Sequence, residues 1–185
     1  MGQTLEIRVE FERLPLSRGA ADSLGHLSRY DAIVFTSKNA ERFFVQELRA
    51  RGIARPKHIL YIRVGPRADL LKLELKSKRI LFPRSALAPH DIVKKLRARG
   101  VQVRTLTLYT SYGKKLSRTE RKKIFSGAIE AFYFKSPSGI SGLLRQLRPA
   151  EKEIVRMIPA ICIGVTTASA ARTSGWKKVS IKKVL

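Results

Sequence analysis

The chain contains one cysteine, few acidic residues and no long apolar run. Its single Cys162 excludes an internal disulfide, because that bond needs two thiols. No stretch approaches the roughly 18 consecutive apolar residues that a membrane-spanning helix requires. The opening residues MGQTLEIRVEFERLP carry charges every few positions and lack the apolar segment of a secretory signal. We therefore expect a cytoplasmic protein that does not enter a membrane.

The shortage of acidic residues leaves a large positive charge, which indicates an anionic partner. Asp and Glu number 14 against 38 Lys and Arg, so the formal net charge is +24. Such an excess attracts nucleic acid as well as acidic small molecules. The basic residues are spread over many amphipathic segments, and no RNA-recognition or zinc-finger signature accompanies them. Both classes of partner stay open, and any single basic run is equally consistent with an ordinary solvated face.

Strand-like and helix-like patterns alternate along the chain. The apolar runs DAIVFT and AICIGV predict buried strands, and the amphipathic runs NAERFFVQELRARG and APHDIVKKLRARG predict helices. Gly52 and Gly100 are the expected C-terminal caps of these two helices. The first segment, TLEIRVEFERLP, alternates apolar and polar residues and predicts one strand. The alternation as a whole predicts an α/β protein with mainly parallel sheets.

Two strand-to-helix turns recur at one offset. Ser37 and Ser136 are 136 − 37 = 99 residues apart, and Gly65 and Gly164 are 164 − 65 = 99 apart. This offset predicts two similar halves, each a flavodoxin-like open sheet, with a cleft between them. Ligands of such sheets lie beyond the carboxyl ends of the strands, where helix N-termini present N–H groups to anions. Ser37, Ser136 and Thr166 are equally consistent with simple N-caps of their own helices.

Four segments carry a family resemblance. In chain order they are YDAIVFTSKNAERFF, RILFPRSALAPHDIVKKLRARGVQVRTLTLYTSY, AFYFKSPSGISGLLRQL and AICIGVTTASAARTSGW. They resemble, in the same order, the FTS-x-NA segment, a stretch ending in Tyr-x-Thr, the F-x-SPS segment and the IG-x-TT-x-x-A segment of the uroporphyrinogen-III synthase family. The resemblance extends from about residue 30 to residue 176.

The resemblance implies a two-domain α/β lyase of porphyrin (haem) biosynthesis that acts as a monomer. The family closes hydroxymethylbilane, an open-chain tetrapyrrole, to uroporphyrinogen III, with loss of water and inversion of the last pyrrole ring. No metal and no organic cofactor are implied. A substrate rich in carboxylates suits a basic protein with anion-binding turns. Nucleic acid stays a less favoured partner.

The resemblance also implies a set of site residues. Tyr109 matches the family's functional tyrosine, whose phenol would donate a hydrogen bond or proton to the leaving hydroxyl. Packing of an aromatic ring at a strand end explains Tyr109 equally well. The residues implied to bind substrate lie in turns: Thr36, Ser37, Asn39, Arg84, Ser85, Ser136, Ser138, Gly164, Thr166 and Thr167. The histidines have no spacing that indicates a metal site.

The chain also departs from the family pattern. The family's first strand–helix unit, with a Thr-Arg pair, and its final helix have no expected counterpart here, and Ala68 stands where the family has a threonine. We accordingly predict a first domain over residues 4–107 and a truncated second domain over residues 112–185, with YTSYGKKLSRTE as the one link. These departures leave a second hypothesis open, an inactive homologue that serves as a basic nucleic-acid- or anion-binding module.

Overall fold

The structure is a computed structural model that describes residues 2–64, 74–76 and 78–182. Gly65 and Ala68, on which part of the comparison between the two halves depends, lie outside the described residues. The chain divides into two compact units. Unit 1 consists of Met1–Phe11 and Ser111–Leu185, and unit 2 consists of Glu12–Thr110.

Strands and helices alternate through the described residues. The strands are β1 (Gln3–Ile7), β2 (Val9–Arg13), β3 (Ala32–Phe35), β4 (Leu60–Arg63), β5 (Arg79–Ser85), β6 (Gln102–Gly113), β7 (Ile129–Phe134), β8 (Ala160–Cys162) and β9 (Val179–Ile181). The helices are α1 (Arg18–Gly25), α2 (Lys38–Ala50), α3 (Asp91–Ala98), α4 (Arg118–Phe125), α5 (Pro137–Arg145), α6 (Pro149–Met157) and α7 (Val165–Thr173). In that part of the chain, no helix has the length and apolar character needed to cross a membrane.

Unit 2 is built on a five-stranded sheet in the order β2-β6-β5-β3-β4. β3 pairs in parallel with β4 and β5, and β5 pairs in parallel with β6. Neighbouring residues of one strand point to opposite faces, so Leu81 belongs to the same core cluster as Leu24 of α1, while Ile80 belongs to the cluster that contains Leu96 of α3. The chain order reverses between β3 and β5, and ligands of open α/β sheets bind at such switch points.

Unit 1 is built on a four-stranded sheet in the order β1-β7-β8-β9, in which all neighbours are parallel. Phe132, Phe134 and Trp176 form the aromatic part of its core. Helices α5 and α7 contribute Leu143 and Ala171 to the same cluster. The α/β fold with mainly parallel strand pairing that the sequence predicts is thus confirmed.

The structure corrects the predicted course of the N-terminal segment. TLEIRVEFERLP forms two strands, because β1 pairs with β7 in the sheet of unit 1 whereas β2 joins the sheet of unit 2 beside β6. The boundary between the units falls within β2, after Phe11. The predicted first domain, residues 4–107, is therefore wrong at its start. The chain also passes between the units twice, after Phe11 and after Thr110, so the prediction of one link is wrong. An alternating pattern reports which residues face a core and not which sheet the strand joins.

Helix α6 has no counterpart among the predicted elements, although its sequence carries start signals. Pro149 occupies the first helical turn, and the Glu151 side chain accepts a hydrogen bond from the Arg148 backbone N–H. Both features are typical of a helix N-terminus. The two predicted glycine caps, in contrast, are confirmed, since Gly52 and Gly100 have φ of +64° and +79°.

Helix α5 packs directly against the end of β6. A Cβ built on Gly142 would lie 2.2 Å from the Gly113 Cα, so only glycines allow this approach. One turn further along the helix, Gln146 Nε2 donates to the Lys114 carbonyl at 3.1 Å, and its Oε1 accepts the Leu116 N–H at 2.7 Å. The close contact and the two hydrogen bonds fix the chain where it re-enters unit 1.

Replacing Gly142 with alanine should destabilise the protein by about 1–3 kcal/mol, because the new methyl group would overlap Gly113 backbone atoms. Urea unfolding followed by tryptophan fluorescence reports this change, because Trp176 lies in the unit 1 core. Gly25→Ala is the matched control, since nothing lies within 4 Å of its Cβ position at the end of α1. Equal unfolding midpoints for the two variants would contradict the close-contact argument.

Two glutamates cap helix N-termini in unit 1. Glu120 Oε2 accepts the Ser117 N–H at 2.7 Å while Ser117 Oγ accepts the Glu120 N–H at 3.1 Å, which is a capping box at α4. Glu151 Oε2 accepts the Arg148 N–H at 2.8 Å at α6. These backbone hydrogen bonds lower the pKa of both carboxyls from the ordinary value of 4.5.

Unit 1 should therefore lose stability as the pH falls below 4.5, because the lowered pKa of Glu120 and Glu151 makes unfolding take up protons there. The stabilisation is complete above the unfolded-state pKa and disappears as the pH falls through the folded-state value. Urea midpoints measured between about pH 7 and pH 3 should depend less on pH in the Glu120→Gln/Glu151→Gln double variant. Glu153→Gln, outside both caps, serves as the control, and an unchanged pH profile for the double variant would refute the assignment.

Candidate functional site

The first candidate site lies in unit 2, at the carboxyl end of β3 and at the part of β6 that pairs with the end of β5. The Tyr109 hydroxyl is 3.2 Å from Ser37 Oγ, and its ring stacks on Phe43 with centroids 4.6 Å apart and planes at 10°. The Tyr109 carbonyl accepts the Ala86 N–H at 2.8 Å. Only 5% of Tyr109 is exposed, so these contacts hold its ring in one orientation. The phenol thus points to the turn in which α2 begins.

Ser37 has two roles in this turn. Its Oγ accepts the Ala40 N–H at 3.0 Å and so caps α2, as the simple N-cap interpretation expects. The same oxygen contacts the Tyr109 hydroxyl, which links the cap to the predicted catalytic group. Thr36 and Asn39 lie on either side of the cap. The structure brings four of the predicted residues together here.

Arg84 and Ser85 shape the loop that follows β5. The buried Arg84 guanidinium donates to the Ala88 carbonyl, and its Nη1 lies 3.1 Å from His90 Nδ1. Ser85 Oγ accepts the Leu87 N–H at 3.2 Å. These bonds give both residues a structural task within the loop, and their contact with substrate stays a prediction.

The second candidate site lies at the carboxyl ends of β7 and β8 in unit 1. Phe134 and Cys162 are paired across these strands, so the turns that follow them lie side by side. Helix α5 begins after Ser136 and helix α7 after Gly164, and neither has a side-chain cap among the described residues. A serine hydroxyl caps α1, α2 and α4. Pro137 has no N–H and the Gly139 N–H donates to the Ser136 carbonyl, so the Ser138 N–H of α5 and the first N–H groups of α7 are the ones open to a ligand.

Ser136 differs from its counterpart Ser37 in one respect. The two residues share extended backbone conformations, with φ, ψ of −162°, 157° and −156°, 148°. Ser136 Oγ is buried and has no hydrogen-bond partner in the described part of the chain, whereas Ser37 Oγ has two. An unsatisfied buried hydroxyl costs free energy that a ligand atom can recover.

The remaining predicted residues of unit 1 differ in whether their side chains are exposed, buried or hydrogen-bonded to another residue. Thr166 is exposed in the first turn of α7, where its hydroxyl can reach a ligand. Thr167 is buried in the same turn. Ser138 Oγ lies 3.0 Å from Ser111 Oγ and so joins α5 to the end of β6. A role for Ser138 and Thr167 in substrate binding stays a prediction.

Sequence reasoning missed Phe43 as the support of Tyr109. The pair Phe43–Phe44 in the α2 pattern was a signal for a buried helix face, but the stacking partner lies 66 residues away (109 − 43) and no local pattern shows it.

Among the cations near these turns, Arg63 is paired with Glu41, and that hydrogen bond lowers the pKa of the Glu41 carboxyl. The described residues contain no cluster of three or more His, Cys, Asp or Glu side chains that could hold a metal ion.

This geometry defines an α/β protein of two open-sheet units whose strand-end turns can hold anions. The family model described as uroporphyrinogen-III synthase HemD matches residues 67–184, which is more than half of the chain. The chain therefore belongs to the uroporphyrinogen-III synthase family, as its sequence motifs predict.

Curated relatives carry the same family names. The porphyrin biosynthesis protein HemD of Ruminiclostridium josui is 22% identical over 204 residues, which cover 95% of this chain and 40% of that protein. The chain thus spans about two fifths of the length of that relative. The uroporphyrinogen-III synthase of Chlorobaculum parvum is 24% identical over 199 residues, covering 91% of this chain and 80% of that protein.

Solved structures share the fold. The uroporphyrinogen-III synthetase of Helicobacter pylori aligns with a TM-score of 0.65 and 19% identity, covering 100% of this chain and 95% of that chain. A mutant uroporphyrinogen III synthase of Thermus thermophilus aligns with a TM-score of 0.61 and 18% identity, covering 92% and 80%. At these identities the likeness shows the fold alone.

The matched serines should respond differently to alanine. Ser37→Ala should lower the unfolding free energy by about 1 kcal/mol, because it removes the α2 cap. Ser136→Ala should leave stability unchanged or raise it, because it removes a buried hydroxyl that has no partner among the described residues. Thermal or urea unfolding of the two variants measures the difference, and equal losses would contradict the contrast between the turns.

Proposed function

We propose that the chain is a lyase that cyclises hydroxymethylbilane to uroporphyrinogen III, with loss of water and inversion of the terminal pyrrole ring. Family membership supports the reaction class. The observation that carries the proposal is the pair of uncapped helix N-termini beside the Ser136 hydroxyl, which has no partner in the described chain. Donors arranged in this way suit the carboxylate arms of a linear tetrapyrrole. A cytoplasmic monomer and a cleft shared by the two halves stay predictions of the resemblance.

The binding step uses backbone donors more than side-chain cations. The Ser138 N–H of α5 and the N–H groups at the start of α7 would bind acetate or propionate arms, supported by the positive ends of the helix dipoles. The exposed Thr166 hydroxyl and the Ser136 hydroxyl supply further donors. The net charge of +24 would speed capture of a polyanion by electrostatic steering.

The chemical step requires little from the protein. Departure of the terminal hydroxyl leaves a cationic azafulvene, which the electron-rich pyrroles of the bilane stabilise. Tyr109 would donate a hydrogen bond to the leaving oxygen, with Ser37 and Phe43 holding the phenol in place. The fold would then keep the bilane curved so that the substituted carbon of its last pyrrole ring attacks the azafulvene methylene, because positioning supplies much of the rate. The bond from that carbon to its original methylene bridge would then break and re-form at the other ring carbon, which inverts the ring, and loss of a proton restores its aromaticity.

Tyr109→Phe should lower kcat by about 10²-fold or more, since it removes the hydrogen-bond donor of the leaving group and keeps the ring stacked on Phe43. The assay follows freshly prepared hydroxymethylbilane and separates the type III and type I isomers by chromatography. The wild-type chain should give mainly the type III isomer, and the variant should shift the product towards the type I ring that forms spontaneously.

Tyr61→Phe is the matched control, because the buried Tyr61 hydroxyl has no hydrogen-bond partner among the described residues and lies on β4. Its product ratio should equal that of the wild type. A wild-type chain that yields only the type I isomer would refute the catalytic proposal and favour an inactive homologue. A Tyr109→Phe variant with full activity would refute the role of the Tyr109 phenol and would leave the proposed reaction standing.

A further inference from the structure

An arginine-lined cavity lies at the amino ends of β5 and β6 in unit 2. It has a volume of about 410 Å³, within the range of ligand pockets. Its lining includes Tyr30, Arg79, Arg97, Val101, Val103 and Arg104. The strand register pairs Arg79 with Gln102 at this end and Ser85 with Tyr109 at the other. The cavity is therefore separate from the candidate site described above.

Three guanidinium groups surround this cavity without carboxylate partners among the described residues. Arg97 Nη2 donates to the Val103 carbonyl at 2.8 Å, and Arg104 Nε donates to Ser23 Oγ at 3.3 Å. Each bond fixes a side chain but uses one of its five N–H donors. Arg79 is exposed at the first position of β5. Most donors of the three groups are thus directed to solvent or to a ligand.

The path of the Arg104 side chain is kept open by a glycine. A Cβ built on Gly19 would lie 2.4 Å from Arg104 Nη2, so any larger residue at this position would displace the guanidinium. Beside the cations, the buried Val101 and Val103 and the half-buried Tyr30 give the cavity an apolar wall. The combination of an apolar wall and a cationic rim suits a ligand with a ring and a phosphate.

Cations continue along this edge of the sheet beyond the cavity. Arg29, Lys57 and Lys78 are exposed and precede β3, β4 and β5, whose amino ends lie at one edge because the strands are parallel. The carboxylate of Asp31 at the same edge accepts the Arg79 backbone N–H at 2.6 Å. Neighbouring strands are about 4.8 Å apart, so the basic edge is longer than one phosphate group.

We propose that this cavity and edge bind single-stranded nucleic acid. Backbone phosphates would contact the arginines and the flanking lysines, and one base would lie in the cavity against Tyr30 and the valines. A strand fits better than a free nucleotide because the cations extend along the edge beyond the cavity. The proposal is independent of catalysis, since none of these residues belongs to the candidate site.

Fluorescence anisotropy with a labelled oligothymidylate of about 12 nucleotides tests the proposal. The Arg79→Glu/Arg97→Glu variant should bind at least about tenfold more weakly near 0.1 M salt, and the slope of log Kd against log salt should fall by about 0.7 for each phosphate that the variant no longer neutralises. Arg79→Gln removes one exposed charge from the surface. It should also weaken binding, and its melting curve should equal that of the wild type. Lys177→Glu/Lys178→Glu, the same charge change on exposed residues of unit 1, is the matched control and should bind like the wild type.

Two outcomes would overturn the proposal. Equal weakening by the unit 1 control would mean that net charge alone attracts the strand. Displacement of the oligonucleotide by adenosine monophosphate at an equal nucleotide concentration would mean that the cavity takes a free nucleotide. Weaker binding confined to the Arg79 and Arg97 variants, with no competition from the mononucleotide, is the expected result.

Discussion

Parallel strand pairing is the constraint on which the rest of this molecule depends. It places the N-termini of the intervening helices at the carboxyl edge of each sheet and their C-termini at the opposite edge. In unit 1 the carboxyl edge presents the starts of α5 and α7, without side-chain caps in the described chain. In unit 2 the amino edge, where α3 ends, carries arginines. The carboxyl edge of unit 1 can attract anions through helix N-termini, and the amino edge of unit 2 can attract them through arginine side chains.

The two halves use one turn for different purposes. Ser37 and Ser136 have the same extended backbone at the start of a helix, yet Ser37 is satisfied by the Ala40 N–H and the Tyr109 hydroxyl. Ser136 is left without a partner in the described residues. A residue that is already satisfied can orient a neighbour, whereas an unsatisfied one gains from a ligand. The repeat therefore supports the proposed division between a turn that positions a phenol and a turn that would bind carboxylates.

Local signals predicted much of the fold and little of the contact geometry. Gly52 and Gly100 were recognisable as helix caps because a positive φ favours glycine at that position whatever the tertiary structure. The assignment of β1 to unit 1 depends on pairing with β7, more than 100 residues later, which a two-residue alternation cannot encode. For the same reason the sequence placed Ser37 and Tyr109 in candidate turns but showed neither their hydrogen bond nor the stacking on Phe43.

The two anion sites proposed for this chain would follow different physical rules. Backbone N–H groups at a helix start are fixed dipoles that bind a carboxylate without a counterion to release, so their affinity depends weakly on salt. Arginines on an open edge such as that of Arg79 neutralise phosphates and release the counterions of a polyanion, so binding there weakens steeply with salt. If both proposals hold, a protein with a charge of +24 binds a small polycarboxylate at one sheet edge while its arginines bind phosphates at another. The surplus charge need not belong to the proposed carboxylate-binding turns of unit 1, since their N–H and hydroxyl donors carry no formal charge.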